Sequence, residues 1–469
     1  MPDATEFDLI VIGAGAVGEN IADRAVQGGL TALLIESELV GGECSYWACM
    51  PSKALLRSGI ALRAARAVGG AREAMTGDID VAATFKRRDG FTSNWDDQGQ
   101  VEWVAGAGIE LARGHARITG EKQVTVDGTV YTARHAVAVS VGSDALLPDI
   151  PGLADSAPWT SRDATSAKIA PKRLAIIGGG VVGVEMATAY ATFGTAVTVI
   201  ARTALLGNQE PFAGEAVTKS LTALGADVRI GVSTSSVRRS DSGVALTLDD
   251  GSIVEADEVL VAIGRTPRTT DLGLEHVGLT PGDWLDVDDT MLVKGFDWLY
   301  GVGDVNHRAL LTHQGKYQAR AAGDVIAARA LGTGVHDNTF GKHAATADHE
   351  MVPQVTFSDP EVASVGLTAS EAEKAGYDIR VVDYNLGWVA GASLQADGYE
   401  GHARMVVDEK RKVIIGVTFV GQDVSEMLHA ATIAVVGQVP LDRLWHAVPA
   451  YPTMNEIWLR LLETYGRPE

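Results

Sequence analysis

The sequence predicts an α/β protein, two doubly wound nucleotide-binding units followed by a smaller α+β domain. Three observations carry this. The pattern Gly-x-Gly-x-x-Gly stands between an apolar run and a helical stretch at residues 13–18, and the same arrangement returns at 178–183. After about His343 the texture changes to strand-like runs and short helices. The length, 469 residues, suits about three domains at roughly 150 residues each. One glycine pattern alone is weak evidence; two, each in a strand–turn–helix setting, are strong.

The chain opens with the apolar run Phe7 to Ile12, then Gly13-Ala14-Gly15-Ala16-Val17-Gly18 and a helical stretch to about Gln27. After Gly28-Gly29 a second apolar run, Thr31 to Ile35, ends on Glu36. Strand, glycine turn, helix and strand make a Rossmann-like βαβ unit. Residues 55–112 read as helical, with a polar break near Asp89–Gln100, and Ala116–Val141 reads as a β-meander or hairpin turning at Asp127-Gly128. The second unit runs through strand Leu174–Ile177, Gly178-Gly179-Gly180-Val181-Val182-Gly183, a helix to about Phe193 and strand Ala196–Ile200. Val237–Ile263 alternates around a turn at Asp249-Asp250-Gly251. In the tail, strands are expected at Pro353–Phe357, Met405–Val407 and Val413–Val420, and helices near 424–437 and 454–464. The expected division is a first nucleotide domain at 1–151, a second inserted at 152–265, a return to the first at 266–342, and the α+β domain at 343–469.

Composition removes several function classes. With 39 basic against 60 acidic side chains the net charge is −21, a surface that repels nucleic-acid phosphates and anionic lipid. No apolar run approaches the ~20 residues of a membrane span, and the opening Met-Pro-Asp-Ala-Thr-Glu lacks a signal-peptide layout. A cytoplasmic protein is expected. There are only two cysteines, five positions apart, which in such a protein is more often redox-active or metal-binding than a structural staple.

In the first unit Gly13 permits the tight turn, Gly15 lets the backbone reach a pyrophosphate, and Gly18 lets helix and strand pack closely. The diphosphate sits on the helix N-terminus, where free N–H groups and the dipole favour anions. Glu36 is placed to accept hydrogen bonds from ribose hydroxyls. Gly178, Gly180 and Gly183 repeat the arrangement, but the residue after the second strand is Ala201, followed by Arg202. A small residue beside an arginine accommodates an adenosine 2′-phosphate, which favours NADPH over NADH.

The cysteines lie in Gly41-Gly42-Glu43-Cys44-Ser45-Tyr46-Trp47-Ala48-Cys49-Met50-Pro51-Ser52-Lys53. Five residues of regular helix rise about 7.5 Å, too far for a disulfide, so a Cys44–Cys49 bridge needs an irregular segment entering the helix. A helix N-terminus lowers thiol pKa, so at least one ready thiolate is expected, with Lys53 adding charge on the same face. A closed zinc site wants four ligands, and no second Cys/His cluster supplies them; no metal is expected.

Gly-Gly-x-Cys-x4-Cys-x-Pro-Ser-Lys after such a βαβ unit resembles the flavoprotein pyridine nucleotide-disulfide reductases, the family of dihydrolipoamide dehydrogenase, glutathione, mycothione and mercuric reductases. The resemblance extends over nearly the whole chain. Val141-Gly142-Ser143 resembles the family's Thr-Gly-Ser, Gly264-Arg265-Thr266-Pro267 its Gly-Arg-x-Pro, and Gly301-Val302-Gly303-Asp304 its flavin-binding Gly-Asp. Arg113–Ile118, with Ala116, sits where the family's backbone touches adenine, and Pro353–Gly366 is similar to the start of its dimerisation domain. The resemblance implies FAD in the first unit against Gly42, Gly142 and Asp304, NADPH in the second, a Lys53–Glu185 ion pair beside the flavin, Cys49 as the sulfur next to the flavin, Cys44 as the exchange thiol, and a homodimer.

One departure stands out. Where the disulfide reductases carry His-Pro-Thr-x-x-Glu, this chain has Tyr451-Pro452-Thr453-Met454-Asn455-Glu456. Glu456 is kept, but the base is replaced by a phenol with a reference pKa near 10, poorly matched to pH 7 where imidazole is well matched. His446 lies five residues earlier, off the motif. Mercuric reductases carry a tyrosine in this neighbourhood, usually with a C-terminal cysteine pair, whereas this sequence closes on Tyr465-Gly466-Arg467-Pro468-Glu469. The leading expectation is therefore an NADPH-dependent FAD enzyme passing electrons through Cys44 and Cys49 to a small acceptor. Dihydrolipoamide or low-molecular-weight disulfide chemistry, direct quinone reduction by the flavin, and a non-catalytic redox-sensing flavoprotein are the alternatives.

Overall fold

Buried parallel strands bracket both glycine turns in the structure, a computed structural model that describes residues 5–467. The chain divides into two compact units, with one boundary inside the helix Cys49–Arg66. The first comprises the chain up to Pro51, Asp89–Leu146 and Arg265–Asp348; the second comprises Ser52–Arg88, Leu147–Gly264 and the chain from His349.

In the first unit, the strand Glu6–Ile12 lies between Ala32–Glu36 and Thr129–Val139, both parallel to it. Its near-continuous apolar sequence fits a parallel strand covered on both faces. Glu110–Arg113 extends the sheet beyond Ala32–Glu36, and Leu299–Gly301 pairs with the end of Thr129–Val139. The other half of that long strand pairs antiparallel with Gln123–Val126, which in turn pairs antiparallel with Ala116–Gly120. The helix Thr312–Ala330 packs along the glycine-turn helix Ala16–Gln27. Leu9, Ile10, Leu34, Val137 and Ile326 are among the fully buried side chains of this core.

The second unit holds a four-stranded parallel sheet, in the order Asp227–Ile230, Ala196–Ala201, Arg173–Ile177, Glu258–Val261, and a three-stranded meander, Thr234–Ala256. Its glycine-turn helix, Val181–Thr192, is apolar nearly all round and correspondingly buried. A five-stranded antiparallel sheet follows, in the order Pro353–Thr356, Glu361–Gly366, Val413–Gly421, His402–Asp408, Ile379–Asn385. The helices Leu428–Val436 and Glu456–Tyr465 pack on it. Two Rossmann-like α/β folds plus a C-terminal α+β domain are thus present. No described helix is long and apolar enough to cross a membrane.

One local reading is corrected, and the structure adds detail at the polar break and in the tail. Residues 110–112, expected to close a helical stretch, form a strand, because pairing with Ala32–Glu36 overrides the helix propensity of Glu-Leu-Ala-Arg. The polar break contains three successive left-handed residues, Ser93, Asn94 and Trp95, at φ 49°, 54° and 59°. Two strands of the tail were not singled out. Glu361–Gly366 is short and built partly from Ala, Ser and Gly, and Ile379–Asn385 is an edge strand with most of its side chains toward solvent.

Candidate active site

Each glycine triplet has one spacious position and two crowded ones. In the first unit a Cβ on Gly13 would lie 2.6 Å from the Ser140 carbonyl oxygen, and one on Gly18 1.9 Å from that of Gly13. A Cβ on Gly15 would meet nothing nearer than 3.9 Å. The outer glycines are fixed by packing; the middle one leaves an open cradle over the first turn of Ala16–Gln27, which has no side-chain cap. The second triplet repeats this, with Gly178 and Gly183 each 2.2 Å from a carbonyl oxygen and Gly180 facing open space. Free N–H groups beside an open cradle fit the diphosphate of a dinucleotide in both units.

Glu36 lies at the first cradle. Its Oε2 accepts the Ala14 N–H at 2.7 Å and its Oε1 the Glu38 N–H at 2.8 Å, which leaves lone pairs for ribose hydroxyls. Burial raises its pKa while these backbone donors oppose the rise. Ala116 is buried in the antiparallel part of the sheet. Arg113 donates to the Glu38 carbonyl and to Asp97, whose Oδ2 also accepts the Val40 N–H at 2.7 Å. The left-handed turn at 93–95 thus delivers a carboxylate that anchors the segment leading to the cysteines.

That segment docks directly on the glycine turn. The Gly41 N–H donates to the Ala14 carbonyl at 2.7 Å, and a Cβ on Gly42, at φ +57°, would sit 2.8 Å from the Gly15 Cα. A short helix, Gly42–Tyr46, breaks at Trp47-Ala48 before Cys49 opens the long helix. This break is the irregular segment that the five-residue spacing demands. The Cys44 Sγ donates to the Cys49 Sγ at 2.6 Å, and the Thr312 Oγ1 lies 3.2 Å from the Cys49 Sγ. Both cysteines are thiols here. The expected low pKa does not fall on Cys44, because the hydrogen bond to Cys49 and then burial push that thiol up, with Lys316 opposing.

Asp304 accepts the Ser143 hydroxyl at 2.6 Å, and Arg265 donates to the same hydroxyl at 2.9 Å. Burial raises the Asp304 pKa. Gly142, at φ +75°, faces open space beside them. Arg268 joins Glu43, the residue before Cys44, at 2.7 Å and Asp144 at 2.6 Å.

In the second unit the Lys53 Nζ pairs with the Glu185 Oε2 at 2.9 Å and lies 4.8 Å from the Phe357 ring centroid, while the Glu185 Oε1 accepts the Phe357 N–H at 3.0 Å. Gly264 takes a positive φ. Arg202 is exposed, directly after the strand Ala196–Ala201. Tyr451 is 77% exposed. Glu456 is buried, and its Oε2 accepts the Gly391 N–H at 3.3 Å. His446 is exposed. Among the described residues no group of three His, Cys, Asp or Glu side chains is placed to hold a metal ion.

The sequence reading passed over Thr312, Ser143 and Arg268 as site residues, since only folding brings them to Cys49, Asp304 and Glu43 across 161 to 263 positions.

Comparison with known proteins closes the question of kinship. The profile of the pyridine nucleotide-disulphide oxidoreductases matches residues 7–323, and that of their dimerisation domain matches residues 352–461. The chain is 30% identical over 457 residues to a mercuric reductase of Staphylococcus aureus, covering 96% of this chain and 81% of that protein. It is 31% identical over 479 residues to a dihydrolipoyl dehydrogenase of Haloferax volcanii, covering 98% of this chain and 96% of the relative. Among solved structures, the Cu(II) complex of the HOCl-induced flavoprotein disulfide reductase RclA from Escherichia coli superposes with a TM-score of 0.83 at 21% identity, over 98% of this chain and 99% of that one, a likeness of fold. Matches of this extent leave one assignment, and the chain is a member of the pyridine nucleotide-disulphide oxidoreductases, FAD- and NAD(P)H-dependent enzymes that work through a redox-active cysteine pair.

Proposed function

We propose that this protein is a homodimeric, NADPH-dependent reductase that delivers two electrons through Cys44 and Cys49 to a small acceptor, with Tyr451 standing where a catalytic histidine would handle thiol protons. The observation that carries the reading is the 2.6 Å approach of the Cys44 and Cys49 sulfurs, which places the pair within reach of a disulfide, with the Thr312 hydroxyl beside Cys49. By the resemblance to the family, Cys49 is the sulfur beside the cofactor and Cys44 the exchange thiol. Bound FAD supplies the two-electron link between nicotinamide and the cysteines.

The chain's own residues divide the remaining work. Gly13, Gly15, Gly18, Glu36, Gly42, Ala116, Gly142 and Asp304 hold the flavin dinucleotide; Gly178, Gly180, Gly183, Gly264 and Arg202 hold NADPH. Lys53, oriented by Glu185, supplies a fixed positive charge. Opening the Cys44–Cys49 disulfide takes up two electrons and two protons and yields two thiols. With a small disulfide as acceptor, the protein disulfide re-forms and two acceptor thiols leave. A soft metal ion held between two thiolates takes the same two electrons without needing a base. The exposed Tyr451 phenol makes that route, or another base-independent acceptor, the leading one. Glu456 is engaged with Gly391, which suits a positioning role. The apolar side chains Trp388, Leu394 and Val448, exposed at 72%, 70% and 85% in the region matching the dimerisation domain, support the dimer.

Ordinary dihydrolipoamide chemistry is the second reading, supported by the dihydrolipoyl dehydrogenase relative. Anaerobic stopped-flow separates the two: the enzyme is reduced by two electrons with NADPH and mixed with lipoamide disulfide at pH 7. A persistent long-wavelength thiolate–flavin band supports the first reading. Fast reoxidation selects the second.

A further inference from the structure

The wall of the first dinucleotide site holds a polar group that the glycine-turn chemistry leaves unused. Glu19 directly follows Gly18 in the helix Ala16–Gln27 and is only 8% exposed. Its Oε1 is buried with no hydrogen-bond partner. The charges facing it come from two neighbouring elements. Lys316, on the packed helix Thr312–Ala330, attracts its carboxylate, and Glu36, which already holds the Ala14 amide at the mouth of the cradle, repels it. Tyr46, in the cysteine turn, feels the Glu19 charge in return.

The site is to receive a diphosphate, which adds negative charge beside two carboxylates and a single ammonium. A buried carboxylate with one oxygen unpaired is costly, whereas a neutral carboxylic acid has an O–H to give to an acceptor. Burial is the main cause that pushes the Glu19 carboxyl up to about 7, with Lys316 opposing and Glu36 reinforcing.

Resting on the FAD-dependent reading above, we propose that Glu19 serves as a neutral hydrogen-bond donor in the wall of the dinucleotide site, so that the flavin dinucleotide is held tightly while Glu19 keeps its proton and is released more readily once it ionises. An anionic ligand beside a carboxyl raises that carboxyl's pKa further, so binding and protonation reinforce each other. Affinity then falls by up to about tenfold per pH unit above the ligand-free pKa.

The test uses the holoenzyme in a dilution series, with liberated flavin read by its fluorescence at pH 6.5 and 8.5. The native enzyme should bind flavin about tenfold or more weakly at the higher pH. Glu19→Gln cannot ionise and keeps a donor, so its dissociation constant should be the same at both. If the variant does not fold, a pH-indicator dye on the native enzyme decides: at pH 8 each flavin released should liberate about one proton. A flat native profile, the same slope in Glu19→Gln, or no proton released overturns the inference. A purified protein with no flavin spectrum at any pH overturns instead the reading on which it rests.

Discussion

Glu185 takes two donors on one buried carboxylate, the Lys53 ammonium and the Phe357 amide. Glu185→Ala strands both, and the expected loss is about 3 kcal/mol, read as a lowered denaturant midpoint. Glu19 acts on stability in the opposite direction. Its ordinary value of 4.5 is raised to about 7 in the fold, so the folded state binds its proton more tightly than the unfolded chain does. Its stabilising contribution is complete below 4.5 and is lost as pH rises to about 7. Glu19→Gln should accordingly be more stable than the native protein by roughly 3 kcal/mol at pH 8, the gap closing toward pH 4.5, as thermal melts across that range would record. Arg202 is exposed, so its replacement tests the proposed coenzyme contact with little effect on the fold. Arg202→Ala should raise KM for NADPH about tenfold and leave KM for NADH unchanged, and equal effects on the two would remove the 2′-phosphate assignment.

At the scale of elements, the glycine turn separates what packing requires from what a ligand requires. Gly183 meets a backbone oxygen that cannot move aside, whereas Gly180 meets nothing within the protein. Gly183→Ala should destabilise the second nucleotide fold by several kcal/mol. Gly180→Ala should melt like the native protein and yet bind NADPH at least tenfold more weakly in a fluorescence titration. Equal melting losses in the two variants would show that Gly180 is also held by packing. Both turns were legible in the sequence because each element around them obeys a local rule: an apolar run short enough for a buried strand, then glycines, then a helical stretch. Residues 110–113 and 379–385 were not, since sheet pairing rather than periodicity makes them strands.

Across the whole molecule, Trp388, Leu394 and Val448 are among the large apolar side chains that stay exposed, and all three lie in the dimerisation region. Ile433, also exposed, lies on the helix Leu428–Val436 there. Ile433→Asp should shift the light-scattering mass of the enzyme toward a single chain and lower turnover with it. A native enzyme that is active at the mass of one chain would contradict the dimer directly.

Local rules in the sequence determined the two dinucleotide folds, the cysteine pair and the absence of histidine at position 451, because strands, glycine turns and paired thiols each announce themselves within about 30 residues. Tertiary structure alone decided which partners those groups meet: Thr312 on Cys49, Ser143 on Asp304, Arg268 on Glu43, Glu456 on the Gly391 amide. It also left Glu19 buried with an oxygen unpaired. Hydrogen bonds and burial across such separations depend on how sheets and helices close on one another, and no pattern of neighbouring residues encodes that.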